Sequence, residues 1–202
     1  MSSGLVSRHR LPEARSAAAV IALLLPFSGS PVLAADESAK TSLYVVAAGA
    51  LSQVDLGLGM LEARTSLSEN LLVTAAPAVV VAEGNDEEYQ FRAAATLLMD
   101  LGAIRLDDRN LWVFSDAGAA RYRNRLRLTA PISVAPGVLR LQLFTEAYHQ
   151  QGGPGWFRNV VGGGVGLDVN RTVSADAYWM SLDDDHRRHT SMFAATLTIR
   201  IR

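Results

Sequence analysis

The sequence predicts an all-β chain that closes into an up-and-down antiparallel transmembrane β-barrel of about ten strands, within a range of about eight to twelve, behind a cleaved signal peptide. Three observations predict it. From residue 42 onward apolar side chains recur with period two over segment after segment, each closed by Gly, Pro, Asn or Asp. The polar faces of these segments carry Arg, Glu, Asp, Gln and Tyr, while the single lysine, Lys40, lies outside all of them. The N-terminus has the order of an export signal: basic head, apolar middle, small residues.

In the leader, Arg8, Arg10 and Arg15 precede the apolar run Ala17 to Phe27, and Val32-Leu33-Ala34-Ala35 follows. Cleavage after Ala34 is expected, giving a signal peptide at 1–34, a short tail at 35–41 and a barrel at 42–202. The eleven-residue run is too short to cross about 30 Å of hydrocarbon as a helix. No Cys stands near the cut, so a lipoprotein anchor is not expected.

The first strands, near 42–50, 54–65 and 70–83, have noisy alternation. Glu88 to Leu98 is cleaner, setting Tyr89, Phe91, Ala93, Ala95 and Leu97 against Glu88, Gln90, Arg92 and Thr96. In 102–115 no faces can be assigned, because Asp107-Asp108-Arg109-Asn110 breaks the pattern. Ala120 to Thr129 places Arg121, Arg123, Arg125 and Arg127 on one face and Tyr122, Leu126 and Leu128 on the other, with Asn124 the one intruder. Val138 to Gln150 sets Leu139, Leu141 and Leu143 against Arg140, Gln142 and Glu146, with Phe144 and Tyr148 on the polar face. Asn159 to Val169, Thr172 to Asp183 and Ser191 to Arg202 complete the set. Connections are expected at Ser52, Ser66–Ser68, Gly84–Asp86, Asp100–Gly102, Asp116–Gly118, Pro131–Gly137, Gly152–Gly155, Asn170 and Asp183–Arg188. All are short, which suits a meander.

Composition removes several classes. The 202 residues include 19 basic and 20 acidic side chains and no Cys, so disulfide scaffolds, thiolate metal sites and the basic footprint of a nucleic-acid binder are excluded. Only one apolar run exceeds ten residues, which excludes a helical membrane bundle.

Alternation alone fits either a soluble barrel with an apolar interior or a membrane barrel with an apolar exterior. Four Arg on one strand face would repel in the open, whereas inside a barrel they meet carboxylates on neighbouring strands, Glu146 among them. Segments of about nine to thirteen residues match the roughly 9 to 11 that cross a bilayer at a tilt. The expected lumen network is Glu62, Arg64, Arg92, Arg121, Arg123, Arg125, Arg127, Arg140, Glu146, Arg158, Asp168 and Asp176. Gly162, Gly164 and Gly166 share this inner face, so Phe144, Tyr148 and Tyr178 are expected to lie over bare backbone and fill the lumen. A phosphate-binding loop needs a following helix and a Lys-Ser or Lys-Thr pair, and Val165-Gly166-Leu167-Asp168 offers neither.

The ordered set Arg121-Tyr122-Arg123-Asn124-Arg125-Leu126-Arg127-Leu128, Phe144-Thr145-Glu146-Ala147-Tyr148, Arg158-Asn159 leading into Gly164-Val165-Gly166-Leu167, and Ala177-Tyr178-Trp179 resembles a family of bacterial outer-membrane barrels of unknown function. Glu62-Ala63-Arg64 resembles an acidic-x-basic element in that family's N-terminal half. The resemblance covers about residues 54–202 and implies a closed barrel in the outer membrane, with no assigned activity. It also implies contact with outer-membrane lipid and with the barrel-assembly machinery. The chain departs from the pattern in ending Ile199-Arg200-Ile201-Arg202, where the insertion signals of such barrels end in an aromatic residue.

Candidate chemistry is sparse. His186 and His189 with Asp183, Asp184 and Asp185 could hold a divalent metal or supply an acid–base pair, but the run reads more simply as a solvated turn. His149 reads as a rim residue. Lipid deacylation would need a Ser one hydrogen bond from a His on the outer wall; Ser191 lies two residues from His189, a spacing of about 6 to 7 Å that is too long. No catalytic residue, metal or cofactor is expected. The expected protein is a non-enzymatic outer-membrane barrel with an Arg- and Glu-filled lumen and a structural or lipid-contacting role. The alternatives are an anion-selective narrow pore, a barrel enzyme acting on lipid, and a soluble periplasmic barrel with an apolar ligand inside. The sequence fixes no oligomeric state.

Overall fold

Period-two patterning arises when the two faces of a pleated strand meet different surroundings. The computed structural model, which describes residues 41–51, 56–82, 86–134, 137–184 and 189–201, shows ten strands patterned this way. They are β1 (Thr41–Leu51), β2 (Leu56–Ser68), β3 (Leu71–Ala82), β4 (Glu88–Leu101), β5 (Ile104–Ser115), β6 (Gly118–Val134), β7 (Gly137–Gln150), β8 (Gly155–Asp168), β9 (Val173–Asp184) and β10 (His189–Ile201). Each pairs antiparallel with its sequence neighbour. β1 pairs with β10 from Leu43↔Ile201 to Leu51↔Phe193, which closes the cylinder and leaves no free edge. The topology is therefore the up-and-down barrel that the sequence predicts. The expected signal peptide and the tail to residue 40 lie outside the described residues.

Several strands outrun the alternation. β2 continues to Ser68, β4 to Leu101 and β9 to Asp184, all positions the sequence assigned to connections. β6 continues to Val134 through Pro131, which keeps its register opposite Arg140. The reason is that main-chain pairing needs no apolar face, so strands persist past the point where their two faces differ. The turn between β4 and β5 is correspondingly tight, with Gly102 at φ 74°, a left-handed conformation that glycine adopts without a Cβ clash.

Polar side chains point inward and apolar ones outward. Glu62 is 1% exposed, Asp107 3% and Glu146 4%, whereas Phe193 is 65%, Leu143 64% and Val161 60% exposed. A small apolar cluster, Ala94, Leu111 and Val113, shares the interior with the charges. Two ends are distinguishable: one carries the barrel's termini, Thr41 at the start of β1 and Ile201 at the end of β10, with the connections β2–β3, β4–β5, β6–β7 and β8–β9, and the other carries the remaining connections.

Candidate functional site

The β6 arginines project inward two residues apart, about 7 Å, where unit charges repel by about 2 kcal/mol at an effective dielectric of about 20. Carboxylates from both neighbouring strands interleave with them, and a closer opposite charge outweighs that repulsion. Arg123 Nη2 donates to Glu146 Oε1 at 2.6 Å, and Arg127 Nε donates to Asp107 Oδ2 at 2.7 Å. Arg125 lies between these acids, at 3.7 Å from Asp107 and 4.0 Å from Glu146. Tyr148 OH donates to the second oxygen of Glu146 at 2.9 Å.

From Arg127 the network continues toward the terminal end. Its Nη1 donates to Gln142 Oε1 at 3.1 Å, Gln142 Nε2 donates to Asp176 Oδ1 at 2.7 Å, and Arg140 lies 3.0 Å from both Asp176 and Asp168. Contacts also skip strands. Arg109 on β5 reaches to 4.0 Å from Glu62 on β2, which accepts a 2.6 Å hydrogen bond from Arg64 Nε. Arg121 on β6 pairs with Glu88 on β4. Such contacts can form only if side chains cross the interior. Between adjacent strands, Arg158 Nε donates to Oδ1 of its register partner Asp184 at 2.6 Å.

All twelve residues of the expected network lie on the inner face. Eleven take part in these ion pairs; Arg92 instead donates to Gln90 Oε1 at 2.6 and 2.8 Å. Sequence reasoning missed four partners: Glu88, Asp107, Arg109 and Asp184. The first lies at a strand start and the last was assigned to a turn. Asp107 and Arg109 lie in the stretch where no face could be assigned. Adding them turns an eight-to-four excess of Arg into nine to seven, so the anion-attracting surplus shrinks to near balance.

On β8 the glycines allow this packing. A Cβ on Gly162 would strike the Phe144 ring and the Trp179 carbonyl, one on Gly164 would strike the Ala177 carbonyl and the Tyr178 ring, and one on Gly166 would strike the Asp176 carboxylate. Phe144 and Tyr178 meet edge to face over this strip, ring centroids 5.5 Å apart. Tyr148, expected there too, lies instead beside the guanidinium groups of Arg123 and Arg158, at 5.2 and 5.8 Å. It is drawn there by the carboxylate of Glu146 and the cation–π attraction.

The outer wall holds polar groups as well. Asp108 Oδ1 accepts from Asn124 Nδ2 at 2.7 Å and from Asn110 Nδ2 at 3.3 Å, and Tyr122 OH donates to Asn110. Asn110 and Asn124 are register partners, so the sequence's interruption on one strand and its lone intruder on the next face each other. An aromatic run continues from this cluster toward the end opposite the termini, through Trp112, Tyr122, Trp156 and His149 with centroids 5.3–5.9 Å apart. His149 is thus packed on the outer wall near that rim.

At the same end Ser181 Oγ and His189 Nε2 lie 2.9 Å apart, on β9 and β10. Ser191, the serine weighed from sequence, is the register partner of Ser181. Among the described residues no group of three His, Asp or Glu is arranged to hold a metal ion. Asp185 and His186 of the acidic run lie outside those residues.

No family model and no curated protein matches the chain. Among solved structures it is similar to a bacterial polysaccharide outer-membrane secretin, at 10% identity and TM-score 0.45, over 79% of this chain and 66% of that one. It is similar to the β domain of the Bordetella autotransporter BrkA, at 11% identity and TM-score 0.47, over 80% of this chain and 98% of that one. It is also similar to the NanC porin, at 10% identity and TM-score 0.47, over 79% of this chain and 100% of that one.

Proposed function

We propose that this chain is a small barrel of the bacterial outer membrane, of the kind its sequence resembles, whose charged lumen holds the wall in shape and passes no large solute. The observation that carries the reading is the inversion of faces: guanidinium and carboxylate groups buried inside, and large apolar residues exposed on the outside of every strand but β3. An apolar band on a closed sheet suits hydrocarbon, where an open edge would leave main-chain groups unpaired at several kcal/mol each in order of magnitude. The network supports a filled lumen because one chain of contacts runs from Arg123 to Asp168 through residues of five strands, β5 to β9. Near the terminal end a recess of about 470 Å³, lined in part by Tyr44, Arg64 and Arg200, opens below it.

The test is extraction and conductance of the full chain. Release from envelopes only with detergent, and a planar bilayer that carries no steady current, are the expected results. Extraction by salt or alkali would overturn the membrane reading, and a steady anion-selective current would replace the filled lumen with a narrow pore.

A further inference from the structure

The outer face of β8, β9 and β10 is graded along its length. At the end opposite the termini, Asn159, Asp183 and His189 stand in one cross-strand row, and Val161, Ser181 and Ser191 in the next. Beneath them come Gly163, Trp179 and Phe193, then Val165, Ala177 and Ala195. Polar side chains thus give way to an apolar wall within two residues of Ser181. A groove of about 520 Å³ is cut into that wall, lined by small and apolar residues including Ala47, Gly49, Val165, Ala177 and Ala195. It begins four residues along β9 from Ser181, roughly 13 Å away.

We propose that Ser181 and His189 are the nucleophile and general base of a hydrolase site for fatty acyl esters of membrane lipid, with the acyl chain lying along the groove. The proposal rests on the reading that this wall faces lipid. A serine hydroxyl becomes a useful nucleophile when an imidazole nitrogen can take its proton, and the 2.9 Å separation meets that requirement. The Ser181 oxygen adds to the ester carbonyl carbon while its proton passes to His189 Nε2. The bond from carbonyl carbon to lipid oxygen then breaks, and the leaving oxygen takes that proton. Water cleaves the acyl-serine in the reverse sense, giving one fatty acid and one lipid alcohol for each water consumed.

The neighbours fit supporting parts. Asp183 is the register partner of His189, with Cβ atoms of such pairs about 5 Å apart, so it serves as the positioning carboxylate for the imidazole. Asn159, on the opposite flank of Ser181, offers an amide donor to the developing oxyanion. The acyl donor is a phospholipid or a glycolipid, since both present an ester at the headgroup boundary.

The test uses the full chain refolded into vesicles of phosphatidylethanolamine and phosphatidylglycerol, and into the same vesicles carrying lipopolysaccharide. It reads fatty-acid release and covalent labelling by a fluorophosphonate. Release from at least one vesicle type is expected, and which one identifies the donor. Release and labelling should fall at least about 100-fold in Ser181→Ala and His189→Ala and stay unchanged in Ser191→Ala. Asp183→Asn should lower the rate and move its pH profile without removing the label. Barrel folding is followed separately by heat-modifiable gel mobility. A folded, inserted barrel that is inert, or equally active after Ser181→Ala, overturns the proposal. A chain that does not insert overturns the membrane reading, and this proposal with it.

Discussion

Glu146 on the inner face of β7 and Asp108 on the outer face of β5 are both partly or wholly buried carboxylates, yet their partners differ in kind. Glu146 meets two guanidinium groups and a phenol. Asp108 meets two carboxamides and, among the described residues, forms no ion pair. Inside, opposite charges lie close together, and removing one partner leaves another charge stranded. Outside, the cluster is a set of mutually satisfied dipoles around one acid, and the apolar alternative is a wall that hydrocarbon wets readily. The same residue types are therefore anchors on one face and a concession on the other.

Three variants sharpen this contrast. The largest effect is expected for Glu146→Ala, which strands Arg123, leaves Arg125 with Asp107 alone, and should destabilise the barrel by about 3–5 kcal/mol in urea unfolding from vesicles; a loss below about 1 kcal/mol would show that the lumen charges are solvated. On the outer wall, the double variant Asp108→Leu with Asn124→Leu should stabilise by about 1 kcal/mol in the same assay, because it removes a carboxylate and its donor together. A clear loss instead would mean that this face is covered by a partner. The smallest effect is expected at the water-exposed turn, where Arg105 Nε donates to Asp100 Oδ1 at 2.8 Å. Asp100→Ala should leave the unfolding midpoint unmoved, since an exposed pair gains little over its hydrated parts.

The strand count and closure follow from alternation, and so did the inward set on β6 and β7, because Arg121 to Arg127 and Arg140 to Glu146 sit among residues that differ sharply between faces. β5 was illegible for a physical reason. With Asp107 and Arg109 inside and Asp108 and Asn110 outside, both faces are polar and period two vanishes. Only the register with β6, which places Asn110 against Asn124 and Asp107 against Arg127, resolves it. The Ser181–His189 contact was hidden differently. It is a diagonal across a hairpin, so it depends on where β9 ends and β10 begins, and the sequence placed Asp183 and Asp184 in the turn. One signal was available: Arg158, an inward cation near a strand end, required an acid nearby, and Asp184 is that acid.

The bare stretch of β8 bears on the order in which the wall assembles. Four glycines between Gly162 and Gly166 give that segment little intrinsic preference for an extended backbone and no inward side chains with which to recruit a neighbour. Its ordering must be templated from both sides, by hairpin β6–β7 presenting Phe144 and by hairpin β9–β10 presenting Tyr178. β8 is thus the strand whose inner face is filled from outside itself, by one aromatic ring from each neighbouring strand.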